Sequence, residues 1–368
     1  MEAYGISGNV LNWVKDYLNE RTQTVIVNGE TSYTAPVLSG IPQGTCLGPL
    51  LFVIYINDLL DNIESDGFLF ADDTKIFRQI SSEQDSLSLQ SDIDNLENWS
   101  KTWLLRFHPD KCHVLTLGKF ENIKHTHRYK ICEMEMDHVF EEKDLGVIVD
   151  SEISFEAHIL KKVQLANNIV GLIRRSFSHL DGEMFVKLFT AFVRPHLEYA
   201  QAVWSPHLKK LIDIIENVQI RATKLVDGLG NLEYHERLKR LNMQTLAYRR
   251  LRGDIIEIHK HFHRYDNKAL PTSFLPRSRP SRTHKFQLHE FRKLDGERGI
   301  QSNFLYSRTS RIWNQLPNKT VEVKNINTFK NRLDDHLQDH PLKYDYRAMT
   351  NESTGDEEAM MNELMSDS

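Results

Sequence analysis

Behind Ser7, a residue type suited to an N-cap, Val10, Leu11, Val14, Tyr17 and Leu18 recur at helical spacing and predict an amphipathic helix to about Asn19. Thr22 to Val27 then alternates and is rich in β-branched residues, and Asn28-Gly29 supplies the residue types of a type I′ hairpin turn, with a return strand fading toward Val37. The turn formers of Ser39 to Gly44 lead into an apolar helix from Pro49 to Leu60. Gly67 to Phe77 reads as strand, acidic turn, strand. Leu89, Ile93, Leu96, Trp99 and Trp103 mark another helix face, Cys112 to Leu117 a short strand, and Val139 to Val149 two small strands around Leu145-Gly146. Past Asp150 the period changes. Phe155, Ile159, Val163, Ala166, Val170, Ile173 and Phe177 form one continuous stripe, and Leu211, Ile215, Val218, Ala222 and Leu225 form another. Pro271, Pro276 and Pro280 interrupt a Ser/Arg-rich linker, and Ile312-Trp313 and Phe329 anchor a smaller unit beyond it. The pattern predicts an α+β chain that turns helical near residue 150, ending in a disordered tail over 351–368, which holds six acids and no base.

With 368 residues, 40% hydrophobic and 26% charged, the composition is that of an ordinary globular chain of two to three domains. The longest apolar run, Pro49 to Ile56, is far shorter than the ~18 residues of a membrane span. No basic n-region or apolar h-region follows Met1, and Cys46, Cys112 and Cys132 form no paired framework; a soluble protein of a reducing, intracellular compartment is expected. The net charge of −5 conceals a division. Residues 1–100 carry 4 basic and 15 acidic side chains, whereas 151–340 carry 32 basic and 20 acidic ones. An acidic first part joined to a basic second part suits a carboxylate-rich site beside a polyanion-binding surface.

Adjacent acids at a hairpin tip are usually solvated, because aspartate is a good turn former. Asp72-Asp73 is flanked by Phe68, Leu69, Phe70, Ile76 and Phe77, so a largely buried hairpin aiming both acids at one place is expected. Carboxylate oxygens suit hard cations such as Mg²⁺, and two-metal phosphoryl transfer needs such oxygens.

The run Gly40-Ile-Pro-Gln-Gly-Thr-Cys-Leu-Gly-Pro-Leu-Leu-Phe52, then Asn57-Asp58-Leu59, then Phe70-Ala-Asp-Asp73 resembles the palm of reverse transcriptases of LINE-type, jockey-like non-LTR retrotransposons. Pro109-Asp-Lys-Cys112, Glu142-Lys-Asp-Leu-Gly146, Val193-Arg-Pro-His-Leu-Glu-Tyr199 with Trp204, and Arg311-Ile-Trp-Asn-Gln-Leu-Pro317 look like downstream landmarks of that family, so the resemblance covers essentially residues 1–340. It implies a partial palm over 1–150, a helical thumb-like basic region over 151–270, a basic C-terminal region over 271–340 and an acidic tail over 341–368. It also implies Mg²⁺ (or Mn²⁺) at Asp72 and Asp73, an RNA template, a DNA primer and deoxynucleoside triphosphates, with nucleus and cytoplasm as plausible locations. Gln43 and Gly44 match a loop lying against template and incoming nucleotide, Ala71 a substrate-binding position, Lys111 a lysine near the triphosphate, and Leu145-Gly146 a turn gripping the primer end. Without the resemblance, Gln43 reads as a helix cap, Lys111 as a solvated strand end and Leu145-Gly146 as any tight turn.

One departure stands out. Palm polymerases need a further carboxylate on an earlier strand, and only Glu2, Asp16, Glu20 and Glu30 precede Gly40. Asp16, beside Lys15 on an exposed helix face, cannot serve, so an N-terminally truncated enzyme with little or no activity by itself is expected. A second reading is a non-catalytic nucleic-acid-binding protein derived from such an element, and a third is a decayed remnant with an open sheet edge. Arg237, Lys239, Arg240, Arg249, Arg250 and Arg252, with no acid among them, are the expected phosphate contacts, and Arg277, Arg279, Arg282, Lys285, Arg292 and Lys293 a further group. Tyr234, Tyr248 and Phe262 offer stacking faces, although such residues are more often core, and a run of bases is often a solvated helix face. His259, His261 and His263, and His125-x-His127 near Cys132, lack the spacing of a zinc site.

Overall fold

The computed structural model describes residues 1–118, 127–264, 288 and 300–348. Within it the chain forms two units, Met1–Val139 and Phe140–Ser368. The first opens with α1 (Gly8–Leu18), of which only Val14 is buried. Short strands β1 (Thr22–Gln23), β2 (Ile26–Val27), β3 (Glu30–Thr31) and β4 (Ala35–Pro36) follow, β2 pairing with β3 and β1 with β4. Asn28 (φ +51°) and Gly29 (φ +87°) both turn left-handed between β2 and β3, as a type I′ turn requires. Helix α2 (Leu47–Ile56) and the hairpin β5 (Asp66–Phe70) and β6 (Asp73–Phe77) come next. Ser82 and Asp85 close a capping box at the start of α3 (Glu83–Trp103). Strands β7 (His113–Leu115), β8 (Lys130–Ile131), β9 (Met134–Glu135) and β10 (Asp137–Val139) complete the unit, β7 pairing with β10 in parallel and β8 with β9 in antiparallel fashion.

Two small cores hold these pieces. Ile56 and Leu59 pack on Leu96 and Trp99, and Ile93 packs with Tyr129 and Ile131. Every sheet among the described residues has two strands, so each strand has an unpaired side there. Small sheets with helices agree with the α+β class.

The second unit begins with a hairpin of β11 (Glu141–Asp144) and β12 (Val147–Asp150), followed by α4 (Glu156–Ser176), α5 (Gly182–Leu188), a π-helical turn (Phe189–Val193), α6 (Arg194–Glu198), α7 (Gln201–Trp204), α8 (Lys209–Ala222), α9 (Tyr234–Arg240) and α10 (Leu246–Arg264). The π turn lies just ahead of Pro195, whose ring and missing N–H cannot continue a regular α-helical ladder. Ile159, Val163, Ala166 and Ile173 of α4 meet Phe185, Phe189, Leu197, Leu211, Ile215 and Val218 in one apolar core. Val147 is buried in the same core, so the β11–β12 hairpin joins the helices and the division falls after Val139 rather than near 150.

Helices α11 (Leu305–Gln315), α12 (Asn318–Val321) and α13 (Ile326–His336) share a core with α10, where Trp313, Phe329 and Leu333 meet Tyr248, Ile255 and Ile258. Trp313 and Phe329 thus anchor a core that reaches back before residue 270 instead of one confined to 271–340. The Pro-interrupted linker, Arg277, Arg279, Arg282, Lys285, Arg292, Lys293, His125 and the acidic tail lie outside the described residues. No helix among the described residues is long and apolar enough to cross a membrane.

Candidate functional site

The β5–β6 hairpin is held from below. Gly67 sits so close to Leu60 that a Cβ there would lie 2.9 Å from Leu60 Cδ1, so a larger residue would push the strand away from the α2 side. The base of β5 is tied to α3 by the buried Asp92, whose carboxylate accepts from the Glu64 and Ser65 N–H groups, each at 2.9 Å, and from Ser65 Oγ at 2.5 Å. Arg78 at the end of β6 lies 3.8 Å from the same carboxylate. Leu69 and Ile76 face the core beside Ile56 and Trp99.

Phe70 pairs with Asp73 across a two-residue connection of Ala71 and Asp72, with Ala71 left-handed at φ +50°. The hairpin is not largely buried, contrary to expectation. Strand alternation sends Leu69 and Ile76 inward and leaves Phe68, Phe70 and Phe77 on an open face, 62%, 61% and 48% exposed. Phe68 and Phe77 stack there at 5.6 Å, and Asp72 and Asp73 are exposed at the tip.

Gln43 and Gly44 lie exposed in the loop before α2, Gly44 at φ +76°. The first turn of α2 is capped by Thr45, whose hydroxyl accepts from the Gly48 N–H at 3.0 Å, so Gln43 is not the cap. Lys111 closes a 3₁₀ turn, Pro109–Lys111, with its side chain in solvent, and the neighbouring Cys112 thiol is pushed up in pKa by burial. The structure thus brings Ala71, Asp72 and Asp73 together on one tip. No hydrogen bond or ion pair among the described residues joins Gln43, Gly44 or Lys111 to that tip. Nor do three or more His, Cys, Asp or Glu side chains among the described residues cluster as a metal cage. The donors at the tip, two solvated carboxylates, are chemically suited to a hard cation and number fewer than such ions usually take from a protein and substrate together.

Leu145 (φ +43°) and Gly146 (φ +87°), in the second unit, form the turn between β11 and β12. Tyr199 donates its O–H to the Leu145 carbonyl at 2.8 Å. Tyr199, His158 and Trp204 around this turn were not singled out for a role from sequence; only the Val193–Tyr199 and Trp204 landmarks pointed near them.

The six bases expected to meet phosphates divide. Arg237 is buried, donating to Thr223 Oγ1 at 3.0 Å, the Leu232 carbonyl at 2.5 Å and the Ile220 carbonyl at 3.2 Å. Arg250 is buried near Glu216 and Asp254, and burial lowers its pKa. Arg249 forms a two-pronged pair with Glu198, and Arg252 does the same with Asp334, at 2.5 and 2.8 Å. Only Lys239 and Arg240 of the six are exposed. The other four are spent inside the fold, Arg237 on Thr223 and backbone carbonyls, Arg249 and Arg252 on Glu198 and Asp334 of other helices, and Arg250 beside the buried Glu216 and Asp254, pairings invisible in a local run of bases. The stacking aromatics are also core. Tyr234 donates to Glu216 at 2.6 Å, Tyr248 is buried, and Phe262 stacks on Trp313 at 5.4 Å. His259 is buried against Phe329, with its pKa lowered to about 4 by burial, and its Nε2 lies against the Val323 carbonyl.

Residues 1–149 match the family described as "Reverse transcriptase (RNA-dependent DNA polymerase)". The chain is 26% identical over 240 residues to the RNA-directed DNA polymerase from mobile element jockey of Drosophila melanogaster, covering 58% of this chain and 25% of that protein. It is 24% identical over 295 residues to the probable RNA-directed DNA polymerase from transposon X-element of Drosophila melanogaster, covering 73% of this chain and 30% of the relative. The jockey polymerase of Drosophila funebris is 24% identical over 238 residues. The chain spans about a quarter to a third of the length of these curated relatives. No solved structure matches.

Proposed function

We propose, for a chain whose residues 1–149 carry the reverse transcriptase domain of LINE-type non-LTR retrotransposons, that Asp72 and Asp73 are two of the carboxylates of a nucleotidyl-transfer site. The observation that carries this reading is the acidic tip of the β5–β6 hairpin, rooted in the α2–α3 core inside the matched region. Asp72 and Asp73 would hold Mg²⁺ or Mn²⁺, which when bound supplies positive charge beside the reacting phosphate. Gln43 and Gly44 lie along the template and the incoming deoxynucleotide. Lys111 brings an ammonium to the triphosphate, where it steadies the leaving group, and Ala71 packs under the substrate. The Leu145–Gly146 turn meets the end of the DNA primer. The second unit contacts the duplex through exposed bases such as Lys239 and Arg240, in the nucleus or cytoplasm.

Asp72 and Asp73 stand alone as carboxylates at that tip among the described residues, and in our reading the isolated chain has little or no polymerase activity by itself. The same observation favours a second reading, a non-catalytic protein that binds nucleic acid. One experiment separates the two. The purified chain is incubated with an RNA template annealed to a DNA primer, deoxynucleotides and Mg²⁺ or Mn²⁺, and extension and binding are followed together. Salt-sensitive binding without extension is the expected result. Extension abolished by Asp72→Asn would show a complete site, and no binding at low salt would sink both readings.

A further inference from the structure

Four groups from different elements close a ring around the β11–β12 turn. The Ile148 N–H donates to His158 Nδ1 on α4 at 3.1 Å. The His158 ring lies 5.4 Å from that of Trp204 on α7, and Trp204 Nε1–H donates to the Tyr199 carbonyl at 2.7 Å. Tyr199 returns to the turn by donating to the Leu145 carbonyl at 2.8 Å. Its ring also covers Gly146, where a Cβ would meet Tyr199 Cε1 at 3.3 Å. Burial lowers the His158 pKa to about 4, so the imidazole is neutral; with Nδ1 accepting, the proton sits on Nε2.

The ring is costly to maintain. His158 Nε2 is buried without a hydrogen-bond partner. Leu145 in the turn and Ala200 beside Tyr199, neither of them glycine, are left-handed at φ +43° and +53°. A π-helical turn stands just before Tyr199's helix. Strain and an orphan donor gathered around one turn mark a conformation that the surroundings impose, the usual situation at sites that must present backbone in a set form. The turn is also accessible. Leu145 is 41% and Tyr199 54% exposed, and Lys162 Nζ lies 6.0 Å from the Tyr199 ring centroid.

We infer that Tyr199 is a positioning residue, holding the Leu145–Gly146 turn in the form that meets the end of a nucleic-acid strand. The inference rests on the reading of that turn given above. Its hydroxyl fixes the Leu145 carbonyl, its ring roofs Gly146, and Trp204 and His158 hold Tyr199 and the far side of the turn in turn.

The test uses the full chain with Tyr199→Phe, which keeps the ring and loses the hydrogen bond, and Tyr199→Ala, which loses both. Because Tyr199 is half exposed, both variants are expected to fold, which circular dichroism of each checks first. Hydrogen exchange of the 141–150 peptide reads the turn itself. End preference is read as the ratio of affinities for an RNA template–DNA primer with a recessed 3′ end and for the same duplex closed by loops at both ends. Tyr199→Phe should speed exchange roughly fivefold, as for one net hydrogen bond, and lower the end preference several-fold, with Tyr199→Ala lowering it further. A merely structural tyrosine would shift melting and leave the ratio intact. Unchanged exchange in both variants overturns the inference. Faster exchange with an intact end preference, or no end preference in the parent chain, instead overturns the reading of the turn and with it the functional part of the inference.

Discussion

Arg237 separates a phosphate-binding helix from a structural one. Its guanidinium donates to Thr223 Oγ1, the Leu232 carbonyl and the Ile220 carbonyl, and the residue is 2% exposed. Hydrogen bonds involving a charged donor contribute roughly 1.5–3 kcal/mol each, and truncation strands buried carbonyls. Against this, truncation removes the desolvation cost of a buried charge, several kcal/mol by itself. The difference leaves Arg237→Ala destabilising by about 2–4 kcal/mol, a loss to be read as a lower urea midpoint at unchanged slope. Arg240, exposed on the same helix, should behave oppositely, with Arg240→Ala leaving the midpoint in place. If Arg240 meets a phosphate, its loss reduces the slope of log affinity against log salt by about 1 for an RNA–DNA duplex. Under conditions where the parent and Arg237→Ala are both folded, the Arg237 variant should keep the parental salt slope. A salt slope reduced by about 1 in Arg237→Ala, with an unchanged urea midpoint, refutes the assignment of Arg237 to the core.

Three further outcomes are expected. His158 and His259 are buried with folded pKa values of about 4 against 6.5 ordinarily, so the unfolded chain binds more protons between these values. Stability is then fully present above pH 6.5 and falls as pH drops toward 4, by about 3 kcal/mol per histidine at pH 4, and the urea midpoint of His259→Gln should lose part of that dependence. Gly67→Val forces a side chain into Leu60 and should cost about 1–3 kcal/mol, seen as a lower melting temperature and faster hydrogen exchange across the 66–77 hairpin. Asp92→Ala strands the Glu64 and Ser65 N–H groups and should destabilise that hairpin by about 2–4 kcal/mol; normal protection of the 64–70 amides would contradict the anchoring role.

Much of the local architecture was legible in the chain. The I′ turn at Asn28-Gly29, the two strands around Asp72-Asp73, the left-handed pair Leu145-Gly146 and the stripe of α4 follow from turn chemistry and side-chain period, which act over a few residues. The acidic tip was equally visible, because a hairpin connection places its own residues. Burial was not. Phe68, Phe70 and Phe77 are apolar in sequence and open in the fold, since which face of a two-stranded hairpin is covered depends on what distant segments supply.

The basic cluster shows the same limit from the other side. Between Arg237 and Arg252 no acid appears, yet Glu198 and Asp334, each far away in sequence, pair with Arg249 and Arg252. Arg237 is consumed by backbone carbonyls, whose availability depends on where α8 ends. Tyr199 and Trp204 stood in the chain as parts of one landmark and His158 as a single letter, and only packing joined all three around Leu145-Gly146. The sequence by itself determined short-range geometry, the resemblance to reverse transcriptases over its first part and the chemistry on offer. The tertiary structure alone decided which charges are spent internally, which aromatic faces stay open and which side chains hold a turn, because those depend on contacts between residues many positions apart.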